Sequence, residues 1–379
     1  MHDSTNETAV RVRKHILPDV NTTVVCLGEC QEIFISAQAR EGEDALTVFL
    51  RVASVLDALD ATVVCQQVFG FTNRGGTGLG ALHEALGEGR WPITWLEGDT
   101  EPLCAGTEVW AVSSATVVPI EVDGIAIGTV FGNGCGRVCR LGGLLPRDRD
   151  ADPMAQTRAV LDTMQRGLRA ADLDFADVVR TWFHNRDILS WYDNFNRVRD
   201  AFFNELGVFD RLIPASTAVA GNNAVGAALT AGLVAIRPFN PATVTGPVVS
   251  PLQCSAMDYG KSFSRAVEMR FRDHRRLFVS GTASIEPGGR TAHVGDLERQ
   301  IDLTLRVVQA ILESKGLAWD DVVRAIGYIK HPHDVPATRV VLANAGLDHL
   351  PLVLARNDIC RDNLLFELEV DAIAAARQF

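Results

Sequence analysis

Residues 275–285, RRLFVSGTASI, read as a β-strand that ends in a small-residue turn, and the elements downstream of this strand decide the fold. Residues 295–316, GDLERQIDLTLRVVQAILESKG, set Ile301, Leu305, Val308 and Leu312 at helical spacing, and Lys315-Gly316 is a natural stop. DDVVRAIGYIK (320–330) is a β-branched strand, VPATRVVLANAG (335–346) suits a second helix, and VLARNDICRDNLLFELEVDAIAA (353–375) ends in a long strand. The order is β-α-β-α-β.

The same order recurs upstream. RVCRLGGLLP (137–146), a helix over 152–172 with Pro153 in its first turn, ADVVRTWFH (176–184), a helix over 187–207 and a closing strand over 224–236 repeat it. The tetrapeptide DVVR stands at Asp177–Arg180 and again at Asp321–Arg324, at the same point of each copy. A more worn copy runs from QEIFISAQA (31–39) to LCAGTEVWAV (103–112). The chain is therefore expected to be α+β, with an N-terminal extension (1–19) and modules at 20–120, 121–240 and 245–379, the proline-rich stretch from Pro238 to Pro251 serving as the last linker. The 379 residues give about 126 per module. Such a module leaves one sheet face bare, so three copies are expected to bury those faces together as a pseudo-trimer with a barrel-like core and ligand clefts between modules.

A formal charge of −11 argues against a nucleic-acid or anionic-membrane partner. The polar, mixed-charge N-terminal stretch lacks a signal-peptide core, and no run reaches the roughly 18–20 apolar residues of a membrane helix. A cytoplasmic monomer or weak homo-oligomer is the expectation. The eight cysteines then read as thiols; the C-x-x-x-C spacings of Cys26/Cys30 and Cys135/Cys139 are not those of zinc sites, and no metal is expected. Neither a G-x-G-x-x-G nor a P-loop is present, and no cofactor is expected.

The F-V-S-G-x-A strand, the D-D-V-V strand and L-L-x-E-L-E resemble the reactive-intermediate-deaminase (YjgF-like) fold, well over 276–375, fairly over 137–236 and weakly over 31–112. The arginine that holds the substrate carboxylate in those deaminases falls here on Leu352, which speaks against plain imine or enamine hydrolysis. A second resemblance, to the single-chain chorismatases, rests on Thr107–Trp110 (TEVW), Arg180–Trp182 (RTW), Pro214–Thr217 (PAST), Tyr259-Gly260 with Phe263–Ala266 (FSRA), Arg276–Ala283 (RLFVSGTA) and Asp358–Glu369 (DICRDNLLFELE). It implies that Glu367 is the catalytic acid and that Cys360 and Gly281 vary with product type. Cysteine with glycine resembles the branch that forms 3-hydroxybenzoate, and alanine at both resembles the branch that forms a dihydroxycyclohexadienoate.

The chemistry agrees with the residues. Chorismate carries two carboxylates, a hydroxyl and an enolpyruvyl ether, and its cleavage starts with protonation of the ether's methylene carbon. That step needs an acid still protonated near neutral pH, which a carboxyl between apolar neighbours, here Phe366 and Leu368, supplies because burial raises its pKa. Arg180 and Arg265 lie in apolar surroundings, so each needs an anion, either a substrate carboxylate or an internal Asp or Glu. Thr217, Tyr259, Tyr328 and Arg339 complete the candidate substrate-binding set, and Cys360 is a candidate nucleophile or a pocket-shaping thiol. Four readings stand: a chorismatase releasing pyruvate and 3-hydroxybenzoate, a chorismate hydrolase giving the diene diol, a deaminase-like imine hydrolase, and a non-catalytic binding protein.

Overall fold

The computed structural model describes residues 10–17, 19–98 and 104–376; residues 1–9, half of the expected N-terminal extension, lie outside them. Six helices and eighteen strands fall among the described residues. The first module holds β1 (Arg11–Leu17), β2 (Val20–Leu27), β3 (Cys30–Gln38), α1 (Ala45–Ala58), β4 (Thr62–Phe69), α2 (Thr77–Leu86), β5 (Ile93–Leu96) and β6 (Gly106–Ser113). The second holds β7 (Val118–Val122), β8 (Ile125–Gly132), β9 (Gly136–Leu144), α3 (Pro153–Ala170), β10 (Val178–Asn185), α4 (Ile188–Glu205), β11 (Ala215–Ala220) and β12 (Leu229–Pro238). The third holds β13 (Val244–Val248), β14 (Ala266–Arg270), β15 (His274–Ala283), α5 (Leu297–Glu313), β16 (Val322–Ile329), α6 (Val335–Asn344), β17 (Leu352–Arg356) and β18 (Phe366–Ala375).

Each module builds one six-stranded sheet, and the three sheets share a single strand order: β1-β2-β3-β6-β4-β5, β7-β8-β9-β12-β10-β11 and β13-β14-β15-β18-β16-β17. The sequence repeat is thus a structural repeat, with three strands per module beyond the expected β-α-β-α-β. Two of these open each module as a hairpin, and one follows the second helix in parallel with the strand before it. The proline-rich segment before the third module is not a bare linker but carries β13, an edge strand, where Pro247 removes no needed ladder bond. The stretch 353–375 divides into β17 and β18, because Asn357, Asp358, Asp362 and Asn363 favour the turn between them.

Helices cover the outer face of each sheet. On α5 the Asp296 side chain accepts the Arg299 N–H, and Ile301, Leu305, Val308 and Leu312 are all buried against β15 and β18. The inner faces pack together in a core drawn from all three modules, including Phe34, Trp110, Val138, Trp182, Val234, Phe278 and Val323. Polar locks cross this core. Arg276 of the third module grips Glu32 of the first at 2.6 and 3.0 Å, and Asn133 of the second donates to the same carboxylate at 2.7 Å. The repeat places Arg180 and Arg324 at corresponding points of β10 and β16, both pointing to the centre, where they set up the neighbourhood of the candidate site.

Candidate active site

A narrow cleft lies between the second and third modules, with about 550 Å³ of space when its open mouth is counted. The second contributes Tyr192 and Arg199 from α4 and Ser216 and Ala218 from β11; the third contributes Gly281 and Ala283 from β15, Glu367 from β18, and Tyr259, Lys261, Phe263, Arg265, Cys360 and Arg361 from loops. Of the residues singled out from the sequence, Glu367, Cys360, Arg265, Tyr259 and Gly281 meet here.

Glu367 stands opposite Tyr328 on β16 and Ala283 on β15. Between Val279 and Thr282 the β15–β18 register slips, a bulge of the kind that re-aims side chains at functional sites. Gly281 lies in this bulge, and the Glu367 carboxyl fills the space that a side chain there would take. Burial, followed by the charge of Glu369, pushes the Glu367 carboxyl up to about 8, against the pull of Arg265. It keeps its proton at neutral pH.

Glu369 lies two residues further along the same face. Burial opposes its ionisation, but Arg180 at 2.9 Å and Arg324 at 2.8 Å, with donors from Trp182 and Thr217, hold it well below the ordinary carboxylate range. Arg180 also binds Asp371 at 2.7 Å, and Arg324 binds Asp371 at 3.1 Å and Glu108 of the first module at 2.8 Å. All three modules therefore meet in one buried network. The two carboxyls of the Glu-Leu-Glu motif are split into a protonated and an ionised member, the pattern of an acid beside a fixed charge.

Arg180 takes the internal alternative: it is fully buried in this network and does not line the cleft. Arg265 has no carboxylate within ion-pairing distance among the described residues. Its Nε donates to the Cys254 carbonyl at 3.0 Å, its Nη2 has no partner, and the guanidinium lies 5.4 Å from the Tyr259 ring and 5.6 Å from the Phe263 ring. Thr217 sits behind the cleft, where its hydroxyl accepts the Gly281 N–H at 3.1 Å and donates to Glu369. Tyr328 is outside it, buried among Phe69, Leu96, Val219 and Val353. Arg339 lines a different cleft, between the third and first modules.

The sequence reading missed Arg199, Tyr192, Lys261 and Arg361. Arg199 is fully buried on α4, donates to Asn196 at 2.8 Å and lies 5.3 Å from the Phe195 ring, again without a carboxylate partner among the described residues. A signal existed: Phe195, Arg199 and Phe203 share one helical face, so an arginine interrupts an aromatic stripe. Lys261 pairs with the exposed Asp193 at 2.9 Å, and Arg361 donates to the Gly289 carbonyl at 2.7 Å. Four cations thus surround one protonated carboxyl in a chain of net charge −11. Burial raises the phenols of Tyr192 and Tyr259, so both serve as neutral hydrogen-bond donors. Burial and the neighbouring Glu367 push the Cys360 thiol up to about 12, so it is not a thiolate at neutral pH.

Cys135, Asp273 and His274 have ligand atoms within 4.8 Å of one another, away from this cleft. Both nitrogens of His274 are already engaged, with Asp273 at 2.7 Å and Arg276 at 3.3 Å. Among the described residues no helix is long and apolar enough to cross a membrane.

Residues 255–376 match the family described as endoribonuclease L-PSP. A 3-hydroxybenzoate synthase of Streptomyces hygroscopicus is 27% identical over 236 residues, covering 56% of this chain and 68% of the relative. A chorismatase of the same organism is 27% identical over 216 residues, covering 52% of this chain and 62%, under two thirds, of the relative. The crystal structure of a chorismatase superposes with a TM-score of 0.63 at 20% identity, over 90% of this chain and 98% of that one. The chain is similar in sequence to the chorismatases and shares their fold, with three modules of one strand order in one polypeptide.

Proposed function

We propose that this protein is a chorismatase that cleaves chorismate to pyruvate and 3-hydroxybenzoate in the cleft between its second and third modules. The observation that carries the proposal is a protonated Glu367 facing cations that lack internal carboxylate partners. A dianionic substrate supplies the charges that Arg265 and Arg199 lack, and arginine suits a carboxylate because its planar fork gives two parallel hydrogen bonds.

Glu367 gives its proton to the methylene carbon of the enolpyruvyl ether while the ring hydroxyl oxygen displaces the ether oxygen from the neighbouring ring carbon; pyruvate leaves with the added proton and the hydroxyl proton returns to Glu367. The bridging oxygen then opens onto the ring carbon that held the ether, that carbon's hydrogen leaves as a proton and the oxygen takes one up, which gives the 3-phenol. Chorismate has the composition of 3-hydroxybenzoate plus pyruvate, so the route consumes no net water and transfers no electrons to a cofactor. The ionised Glu369 holds the proton on Glu367 until substrate arrives. Tyr192, Tyr259 and Lys261 donate to substrate oxygens, and Cys360 as a thiol, with Gly281, shapes the wall beside the acid. The name of the 3-hydroxybenzoate synthase relative and the Cys360–Gly281 pair support the aromatic product. We divide the chain functionally as a first module without the acid and second and third modules that share the site.

The test is incubation with chorismate, a coupled assay for pyruvate, and chromatography of the second product. Absence of pyruvate overturns the proposal; pyruvate with a diene diol retains chorismate cleavage and overturns the aromatic product.

A further inference from the structure

The cleft that holds Arg339 is the pseudosymmetric counterpart of the catalytic one. Counted from the shared DVVR points, Ser216 and Ala218 pair with Thr181 and Phe183, while Leu352 and Leu354 pair with Ala325 and Gly327. Leu352 and Leu354 thus stand where Ser216 and Ala218 stand in the catalytic cleft. On the opposite wall Glu367 pairs with Ala283 and Tyr328, and Gly106 pairs with Gln38 and Phe69, so Gly106 takes the place of the acid. α6 with Arg339 takes the place of α4 with Arg199.

The acid cannot be restored here. A Cβ on Gly106 would lie 2.6 Å from the Ala37 carbonyl oxygen, and the Gln38 amide is tied to Leu354 N–H at 2.8 Å and the Ala105 carbonyl at 2.8 Å. The cleft itself persists, at about 1050 Å³ including its mouth. Five leucines stand in its walls beside Asn21, Ser36 and Gln38, and Ile16 and Leu17 at the rim are 53% and 60% exposed, a largely apolar surface that suits a ligand. Arg339 is exposed and has no acidic partner among the described residues. Of the two carboxylates at the lining, Asp19 is taken by Arg40 at 2.5 Å and Asp348 is exposed to solvent.

We propose that this cleft is a second, non-catalytic binding site for a small carboxylate with an apolar ring. The leucine walls take the ring, Arg339 takes the carboxylate, and no group is present to protonate a bound ligand. Binding here is independent of chemistry in the other cleft, so the site is a place where product-like acids can be sensed without competing for the catalytic one.

The experiment is isothermal titration of the full chain with 3-hydroxybenzoate and with its neutral amide, repeated on Arg339→Gln and on Leu354→Trp, which fills the cleft. Two binding events are expected for the acid, one of which is lost in each variant and is at least tenfold weaker with the amide. A single event, or two events that persist in both variants, overturns the inference. Binding is read without turnover: loss of one event in Arg339→Gln by a protein that leaves chorismate intact keeps this inference and removes the proposed function, and turnover with a single event does the reverse.

Discussion

A methyl group on Gly281 would overlap the Glu367 carboxyl: its Cβ would lie 3.0 Å from Glu367 Cδ and 3.2 Å from Thr217 Cγ2. A side chain at this bulge and the present position of the Glu367 carboxyl exclude one another. Gly281→Ala forces Glu367 to swing, because Thr217 behind it is fixed by Glu369 and by the Gly281 N–H. Displacement of a reacting group by about 1 Å costs on the order of 100-fold in rate. Pyruvate release is expected to fall by about that factor while the melting temperature changes little, and an unchanged rate would separate Gly281 from the acid.

The raised value of Glu367 predicts how activity and stability depend on pH. The acid form is needed, so kcat/KM is expected to fall as pH rises through about 8. For stability, the folded value lies above the ordinary 4.5, so between 4.5 and about 8 the folded chain holds a proton that the unfolded chain has released. The contribution is complete below the unfolded value and is lost as pH rises through the folded one, at about 1.4 kcal/mol per pH unit across that window. Glu367→Gln keeps the shape and removes the ionisation. It is expected to abolish turnover and to flatten the loss of stability, as measured by urea denaturation at pH 5 and pH 8.

The third module was the most legible because its helix and strand periods are clean, with Ile301, Leu305, Val308 and Leu312 on one buried face. The added strands were harder to read: β13 contains Pro247, and its edge position, which makes proline harmless, is a property of the sheet. The two arginines mark the limit more sharply. Arg180 and Arg265 look alike in sequence, each an arginine among apolar residues. What separates them is that Glu369 and Asp371, about 190 residues away in the chain, reach one and not the other. Arg199 and Lys261 entered the cleft through the packing of α4 against the loop before β14, a contact between modules that local patterns do not encode.

Cys360 is held as a thiol, which argues for a role in shape. Cys360→Ala is expected to keep pyruvate release within about tenfold of the parent, since a hydrophobic contact of that size is worth about 1 kcal/mol. Iodoacetamide at pH 8 should modify it slowly, because the thiolate is scarce. Loss of turnover in Cys360→Ala, with the fold intact by circular dichroism, would restore the nucleophile.

Removing Arg180 leaves Glu369 and Asp371 short of a partner in a region closed to water. Breaking one member of such a network costs about 3–5 kcal/mol. Arg180→Met is expected to lower stability by that amount in urea denaturation, while Arg158→Met, which frees the exposed Glu205 and Asp162, should cost under about 1 kcal/mol. Equal effects would mean that the central network does not hold the modules together.

Arg265 gives the cleanest test of substrate charge, because its role in the free protein is small. It donates to the Cys254 carbonyl, lies beside the Tyr259 and Phe263 rings and neutralises no carboxylate among the described residues. Arg265→Met should therefore fold with little loss, yet a charge-assisted hydrogen bond to a substrate carboxylate is worth about 1.5–3 kcal/mol, or roughly 10- to 150-fold in kcat/KM. Arg265→Lys keeps the charge but loses the planar fork, so it should recover only part of that loss. The substitution also removes the one cation that pulls the Glu367 value down. The alkaline limb of the pH profile is then expected to move to higher pH in Arg265→Met even as the rate falls. A rate loss without that movement would place Arg265 on the substrate but out of reach of the acid, and full activity in Arg265→Met would take it out of the site.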